Sequence, residues 1–327
     1  MKKRSWFIFT LVVLGLILAG CSGSAEGEQT PSKVTLDYAY YSPTSLVLKE
    51  KGWAEEAFEN LGIDVEFVLS QGSNKALEFL NSSSVDFGST AGAAALMAKA
   101  NNAPVETVYL YSKPEWTALV TNADSDISSV EDLKGKKVAA TLGTDPYIFL
   151  VRALKEHGLS PKDIELVNLQ HADGGSALTS GSVDAWAGLD PHMARLELES
   201  DANLFYRNPE FNTYGTLNVR SEYAEKHPEI VKTVIEVYEK ARRWTIENPE
   251  EAAQILADEA GIDLEVAKKG LERNDFSNPV PGKALKETII GAGKVLQAEE
   301  IIDADVNIDD LADDLIQPAL AEEVINP

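Results

Sequence analysis

Four short segments of the 327-residue chain carry small polar residues in a pattern that can bind an anion without a cationic side chain. They are Ser42-Pro43-Thr44-Ser45, Gln71-Gly72-Ser73-Asn74, Ser89-Thr90-Ala91-Gly92 and Thr141-Leu142-Gly143-Thr144-Asp145. Each follows a β-like run and precedes a helix-like one. Free N–H groups at a helix N-terminus, with hydroxyl donors beside them, bind anions, and glycine lets the backbone approach closely. Ser, Thr and Asn also cap helices, so any one turn alone reads as a cap. Four such turns facing one cleft read as a site. Ser73 and Thr90 lead, with the amides of Gly72, Ala91 and Gly92 beside them and Thr144 closing from the other side. No Lys or Arg lies in any of the four turns. A neutral donor site favours a permanently ionised acid, which suits a sulfonate.

Aromatic residues gather near the same turns: Tyr40, Tyr41, Trp116, Tyr147, Trp186 and Tyr214. They can flank an organic body while the donors hold its head, or serve as core. Asp190-Pro191 reads either as a helix cap or as an acceptor for an amine or hydroxyl on the ligand, and Asp145-Pro146 has the same two readings. The expected ligand-binding set is Tyr41, Ser42, Gln71, Gly72, Ser73, Ser89, Thr90, Ala91, Gly92, Trp116, Gly143, Thr144, Asp145, Trp186, Asp190 and Tyr214. His157, His171, His192 and His227 lie far apart without ligand-like spacing, so neither a metal site nor a cofactor is expected.

A concealed repeat supplies the elements that would position these turns. Leu80-Asn81-Ser82-Ser83-Ser84-Val85-Asp86-Phe87 matches Leu178-Thr179-Ser180-Gly181-Ser182-Val183-Asp184-Ala185 at an offset of 98. Gly62 to Val68 matches Pro161 to Val167 at an offset of 99. Unit one predicts strands near Val34–Tyr41, Asp64–Leu69 and Phe87–Ser89, and helices near Leu46–Asn60 and Asn74–Asn81. Unit two predicts strands near Lys137–Ala140, Glu165–Asn168 and Ala185–Ala187, and helices near Tyr147–His157 and Gly175–Ser180. This alternation implies an α/β fold of two lobes, each a mostly parallel sheet flanked by helices. After Arg220 the chain turns helical. Pro228 and Pro249 stand at first helical positions, ahead of Ile230–Glu247 and Glu250–Ala260. Further helices are expected over Leu264–Arg273 and within Lys286–Glu300. Lobe one is expected over 33–117 with 219–327 and lobe two over 118–218. The crossings are expected at Trp116–Thr121 and Thr216–Val219, with hinge closure over a ligand.

The N-terminus reads as an export signal. Lys2, Lys3 and Arg4 precede an apolar run from Trp6 to Ala19, too short to span a bilayer comfortably. Leu18-Ala19-Gly20-Cys21 follows in the manner of a lipobox. Cys21 is the only cysteine, so no internal disulfide is possible and the thiol has another use. The expectation is a signal peptide over 1–20 and a lipoprotein whose Cys21 carries a diacylglycerol with palmitate-like chains, a durable membrane anchor. Residues 21–32 form a polar tether. Formal net charge is −24, and loss of the three leader cations takes the mature chain to −27. Such acidity argues against nucleic acid or anionic lipid surfaces as partners.

Several of these segments together resemble the aliphatic sulfonate, taurine and nitrate group of ABC-transporter substrate-binding lipoproteins. The resemblance runs from about Val34 to Pro249. It rests on Gly72-Ser73-Asn74, on Ser84-Val85-Asp86-Phe87-Gly88 with Thr90, on Ser129 to Ala139, on Leu150 to Leu154, and on Gly181 to Trp186 with Asp190-Pro191. It implies a type II periplasmic-binding-protein-like fold, lipid-anchored on the extracytoplasmic face. It implies a monomer that hands a small organic anion, an aliphatic sulfonate or taurine, to a membrane permease with a cytoplasmic ATPase. The first loop, Tyr40 to Ser45, departs from the Gly and basic or amide residues often found there, which leaves the organic group open. Nitrate, bicarbonate and formylpyrimidine are alternatives. An enzyme on the same fold is the competing class, as is a receptor's sensor lobe. No Gly-x-Ser-x-Gly elbow, phosphate loop or Cys–His pair supports an enzyme, and none is expected.

Overall fold

Each repeat unit folds as the alternation requires. The computed structural model describes residues 30–326; Cys21 and the leader lie outside them. The first segment runs β1 (Lys33–Tyr38), α1 (Pro43–Lys51), α2 (Trp53–Glu59), β2 (Asp64–Leu69), α3 (Ser73–Asn81), β3 (Phe87–Ala91), α4 (Gly92–Ala100) and β4 (Val105–Pro114). The second runs β5 (Leu119–Thr121), β6 (Lys137–Ala140), α5 (Asp145–Glu156), β7 (Glu165–Asn168), α6 (His171–Thr179), β8 (Ala185–Ala187), α7 (His192–Glu199) and β9 (Asn203–Tyr206). The chain then forms β10 (Gly215–Arg220), α8 (Ser221–Lys226), α9 (Pro228–Glu247), α10 (Pro249–Ala260) and α11 (Leu264–Glu272). It ends with β11 (Asn274–Asp275), α12 (Lys283–Ala298), α13 (Ile308–Leu315) and α14 (Ala319–Ile325).

Two sheets result. The first has the order β11-β4-β10-β3-β1-β2 and the second β7-β6-β8-β5-β9. Both contain the same parallel nucleus, β3-β1-β2 in one and β8-β6-β7 in the other. Beside each nucleus lies an antiparallel strand, β10 against β3 and β5 against β8. The matched motif makes the same joint twice. Asp86 accepts from the Thr35 amide at 2.9 Å and Asp184 from the Lys137 amide at 2.8 Å. In return the Asp86 and Asp184 amides donate to the Thr35 and Lys137 carbonyls, each at 2.8 Å. Ser82 and Ser84 hydroxyls meet at 2.9 Å, as do Ser180 and Ser182. These shared residues tie the third strand of each unit to its first, so their recurrence expresses fold rather than ligand.

Local chemistry accounts for the departures from expectation. The sequence pattern predicts one helix over Leu46–Asn60. Gly52, at φ +65°, divides it into α1 and α2, and its amide closes on the Lys49 carbonyl at 3.2 Å. Trp116–Thr121 and Thr216–Val219, expected as crossings, are largely strand. Leu119–Thr121 is β5 of the second sheet and Thr216–Val219 lies inside β10 of the first. The connections are residues 115–118 and 207–214, and the chain rejoins the first sheet at Gly215. Apolar extended segments became strands because they could bury both faces. One large apolar core joins strands and helices of both sheets. A smaller one packs Trp186, Leu178, Val183 and Met193 on the second sheet's other face.

Candidate functional site

The carboxyl ends of β1, β2, β7 and β8 converge on a cavity of about 220 Å³ between the two sheets. In open α/β sheets this is where ligands bind. Tyr40, Tyr41, Ser70 and Gln71 line it from the first sheet's side. Gln170, His171, Ala172 and Asp173, at the start of α6, line it from the other, with Leu189, Asp190 and Pro191 ahead of α7 and His192 opening it. Among the described residues no Lys or Arg lines the cavity. The first amides of α6 have no intrahelical acceptor; Gly174 is the first to close a turn, onto the Gln170 carbonyl at 2.7 Å. Those amides and the helix dipole make one end attractive to an anion.

Hydrogen bonds behind the wall determine what the lining side chains can offer. Ser70 Oγ donates to Asp37 Oδ2 at 2.5 Å. Tyr41 donates its hydroxyl to the Ser89 carbonyl at 2.8 Å. Thr141 Oγ1 donates to the Leu169 carbonyl at 2.7 Å and lies 3.1 Å from His171 Nδ1. A hydroxyl has one hydrogen, so Nδ1 must carry the proton in that contact. His171 Nε2 is then a bare acceptor; it is buried and has no partner among the described residues. Burial, reinforced by nearby His192, pushes the His171 pKa down to about 3. Burial, then Arg195, pushes His192 down to about 4, so both rings are neutral at pH 7.

Two buried carboxylates sit against this wall. Asp37, fully buried, accepts from Ser70 and from the Ser89 amide at 2.7 Å, and has no cation as partner among the described residues. Burial pushes its pKa up to about 7 against the pull of those donors. Asp190 is pushed up to about 6 by burial, with Arg273 holding it down. Arg273, which follows α11, reaches both Asp190 oxygens at 3.1 Å, and both side chains are only 6% exposed. The same guanidinium also bonds Glu197 of α7. One cation thus bridges the C-terminal helices to two carboxylates of the second sheet's side.

Of the expected residues, Tyr41, Gln71 and Asp190 line the cavity. Trp116 lines a narrow adjoining recess, edge-on to Tyr41 at 5.8 Å. Gly72, at φ +154°, lies against His171, and a Cβ there would sit 2.9 Å from Nε2. Gly143 approaches Asn74 across the sheets in the same way, 3.4 Å from a built Cβ. Most of the others are engaged elsewhere. Ser73 Oγ accepts the Ala91 amide at 2.9 Å, and the Gly92 amide donates to the Tyr214 carbonyl at 2.9 Å. Thr90 is buried among Thr216 at 3.1 Å and Asn218 at 2.7 Å. Thr144 donates to the Thr141 carbonyl at 2.6 Å. Asp145 accepts from Trp116 Nε1 at 2.9 Å and from the Thr213 hydroxyl at 2.8 Å. Ser42 and Ser89 are fully buried, and their hydroxyls have no partner among the described residues. Trp186 is core against Gly174 and Gly175.

The sequence pattern did not mark Gln170, His171, Ala172, Asp173 and His192, which also line the cavity. A signal was present: at the repeat's own offset of 99, Gln71-Gly72-Ser73-Asn74 aligns with Gln170-His171-Ala172-Asp173. The second turn lacks glycine and hydroxyls, so chemistry alone did not mark it.

Twin parallel nuclei, two crossings and a polar cavity between the strand ends define a two-lobed solute-binding protein of the periplasmic-binding type. The chain belongs to the NMT1/THI5 like family, whose pattern matches residues 43–252. It is 27% identical over 328 residues to a putative aliphatic sulfonates-binding protein of Bacillus subtilis, covering 98% of each chain. It is 29% identical over 217 residues to the taurine-binding periplasmic protein of Escherichia coli, covering 64% of each. The alkanesulfonate-binding protein SsuA of Xanthomonas axonopodis pv. citri, solved bound to MOPS, shares the fold. Its TM-score is 0.80 at 23% identity, over 88% of this chain and 99% of that one. The desulfurization enzyme DSZB also shares the fold, with a TM-score of 0.66 at 14% identity, over 90% of this chain and 99% of that one.

Proposed function

We propose that the protein is the extracytoplasmic solute-binding component of an ABC importer and captures a small organic acid of the aliphatic sulfonate class. The observation that carries this reading is the interlobe cavity, which offers the N-terminus of α6 and neutral amide donors but no lysine or arginine. A sulfonate needs no proton exchange and is held by such donors. The names of the B. subtilis and E. coli relatives support the same class. Binding without turnover is favoured by the lining itself. Its Ser70 and Tyr41 hydroxyls donate to a buried carboxylate and a carbonyl, and neither bonds a histidine that would activate it.

The expected test is titration calorimetry of the mature protein with ethanesulfonate, taurine, nitrate, sulfate and a formylaminopyrimidine. A sulfonate should bind with the highest affinity and be recovered unchanged. Preference for nitrate or the pyrimidine, or conversion of the ligand, would refute the reading. The anchor and partners belong to the same proposal. Cys21 carries the lipid, the 21–32 tether holds a monomeric binding unit outside the membrane, and a permease with a cytoplasmic ATPase receives the ligand. Cys21→Ala should release the protein or leave it unprocessed. Membrane fractionation of that variant at the mature size would overturn the anchor.

A further inference from the structure

We infer that Asp37 and Ser70 form a proton switch in the cavity wall: the protein takes up a proton with its anion, Asp37 receives it, and Ser70 turns from acceptor to donor toward the ligand. This rests on the anion reading above. Ser70 lines the cavity just past β2, and Asp37 of β1 stands behind it, fully buried. Their oxygens are 2.5 Å apart, a length typical of a hydroxyl bonded to a carboxylate. The Ser89 amide occupies Asp37 Oδ1 at 2.7 Å. An added proton therefore belongs on Oδ2, the oxygen that faces Ser70.

The one hydrogen bond has two arrangements. With Asp37 ionised, Ser70 gives its single hydrogen to Oδ2 and turns only lone pairs to the cavity. The wall then also holds a charge with no cation beside it among the described residues. Both features oppose an anion. With Asp37 neutral, the carboxyl donates to Ser70 Oγ, and the hydroxyl hydrogen is free to donate to the ligand. The proton comes from solvent. Tyr41, 3.5 Å from Ser70 Oγ, gives its hydrogen to the Ser89 carbonyl and does not replace this donor. A ligand that fills a cavity of about 220 Å³ meets Ser70 as well as the amides of α6. Asp37 thus acts through Ser70 as a positioning residue, and anion binding and proton uptake favour each other.

The surroundings leave Asp37 as the group that responds. The titratable side chains facing it among the described residues are Tyr41, Tyr111 of β4 and Tyr238 of α9. Burial raises the pKa of all three hydroxyls, so they stay protonated. Next along α9, Glu239 is tied to Arg242 and Arg243. Lys49 of α1 pairs with Glu259 over the Tyr38 ring, and strand alternation puts Tyr38 on the other face of β1. Asp86 and Arg220 hold each other beside Thr35, further back on β1. Burial raises Asp37 to about 7 against its hydrogen-bond donors, so ordinary solution pH can work the switch. In the cavity, burial pushes His171 and His192 far below this, and Asp190, at about 6, is held by Arg273.

The test is calorimetry of the intact mature protein with ethanesulfonate, which stays ionised throughout. Titrations are run at pH 6 and 9, and at pH 8 in Tris and in triethanolamine. These buffers carry no sulfonate and differ in heat of protonation. Affinity should be at least about tenfold higher at pH 6 than at pH 9, the scale of one hydrogen bond to a charged group. At pH 8 the binding heats in the two buffers should differ by the equivalent of about half a proton or more per ligand. Asp37→Asn can hold the Ser89 amide with its oxygen and Ser70 with its own amide, which fixes the neutral arrangement. Its affinity should be flat with pH and its buffer difference should vanish. Equal wild-type affinity at pH 6 and 9, or a wild-type slope in Asp37→Asn, overturns the switch while the anion reading stands. If ethanesulfonate binds at no pH, both fall. If Asp37→Asn does not fold by circular dichroism, Ser70→Ala decides. It should lower affinity at pH 6 and change it little at pH 9, and an equal loss at both overturns the switch.

Discussion

Replacing Asp37 by Asn should flatten the dependence of stability on pH. In the wild type this carboxyl is fully buried between Ser70 and the Ser89 amide. Burial raises its pKa from 3.8 to about 7 in the folded state. Between those values the folded protein binds more protons than the unfolded chain. Stability therefore falls as pH rises, in the direction opposite to a salt-bridged carboxylate. The contribution is fully present below about pH 4 and is lost as pH climbs through 7. Across this window each step of one in pH removes about 1.4 kcal/mol while the folded carboxyl stays protonated and the unfolded one is ionised. The loss between pH 5 and 8 then comes to about 3 kcal/mol for this group. An unfolding entropy of about 2.1 cal/mol/K per residue makes that about 4–5 °C in Tm for a folded region of this size. Asn keeps the shape and an acceptor for the Ser89 amide but cannot ionise. Differential scanning calorimetry at half-unit steps from pH 5 to 8 gives the assay. The difference in Tm, Asn variant minus wild type, should grow by about 4–5 °C across that range. A constant difference would show that Asp37 is not the titrating group and that its burial carries no linkage.

Arg273→Met leaves Asp190 and Glu197 without their shared cation. Breaking a buried pair costs about 3–5 kcal/mol. The loss of Tm should be larger at pH 8 than at pH 5, because Asp190, already pushed up to about 6, escapes by taking a proton. Equal melting of variant and wild type at both pH values would refute the role of the bridge. Gly72→Ala places a Cβ 2.7 Å from Asn74 Oδ1 and 2.9 Å from His171 Nε2, at a φ that disfavours side chains. Affinity for the bound sulfonate should drop at least about tenfold, measured by calorimetry with folding checked by circular dichroism. Unchanged affinity would mean that this close approach of the two sheets does not shape the cavity.

The parallel nuclei were legible because strand and helix periods alternate and repeat at a fixed offset. Pro228 and Pro249 marked the starts of α9 and α10 for a local reason, the proline preference for the first helical position. Strand β4 was not marked, since Val105–Pro114 falls outside both copies of the repeat. Helices α13 and α14 lie in an acidic tail whose own sequence suggests solvation. They form against β4, with Thr107 bridged to Ile316. Tyr41, Gln71 and Asp190, marked by residue type and position, line the cavity, but the turn chemistry could not tell a donor facing the cavity from one facing its own neighbours. Ser73 and Thr90 have the right residue types at the right strand ends. Their hydroxyls nevertheless face Ala91, Thr216 and Asn218, partners contributed by other strands. Only tertiary pairing decides that.

Asp145 shows where the remaining sequence signal went. It opens α5 in the second sheet's unit and accepts from Trp116 in one crossing and from Thr213 in the other. Thr213 Oγ1 in turn accepts the Ala93 amide of α4, on the first sheet's side, at 3.2 Å. The crossings are also tied to each other, since the Thr117 amide donates to Asn212 Oδ1 at 2.9 Å. Any rotation of one sheet against the other must pass through these connections. Trp116 packs in a T-shaped contact with Tyr41 of the cavity wall while its indole N–H holds Asp145. Residues that look like ligand contacts by type thus fasten the joint beside the cavity. Small polar groups at strand ends can serve either task, and the ones nearest the crossings went to the joint. The cavity wall opposite Tyr41 and Gln71 is lined instead by Gln170, His171 and Asp173, whose turn the repeat aligns with Gln71 to Asn74.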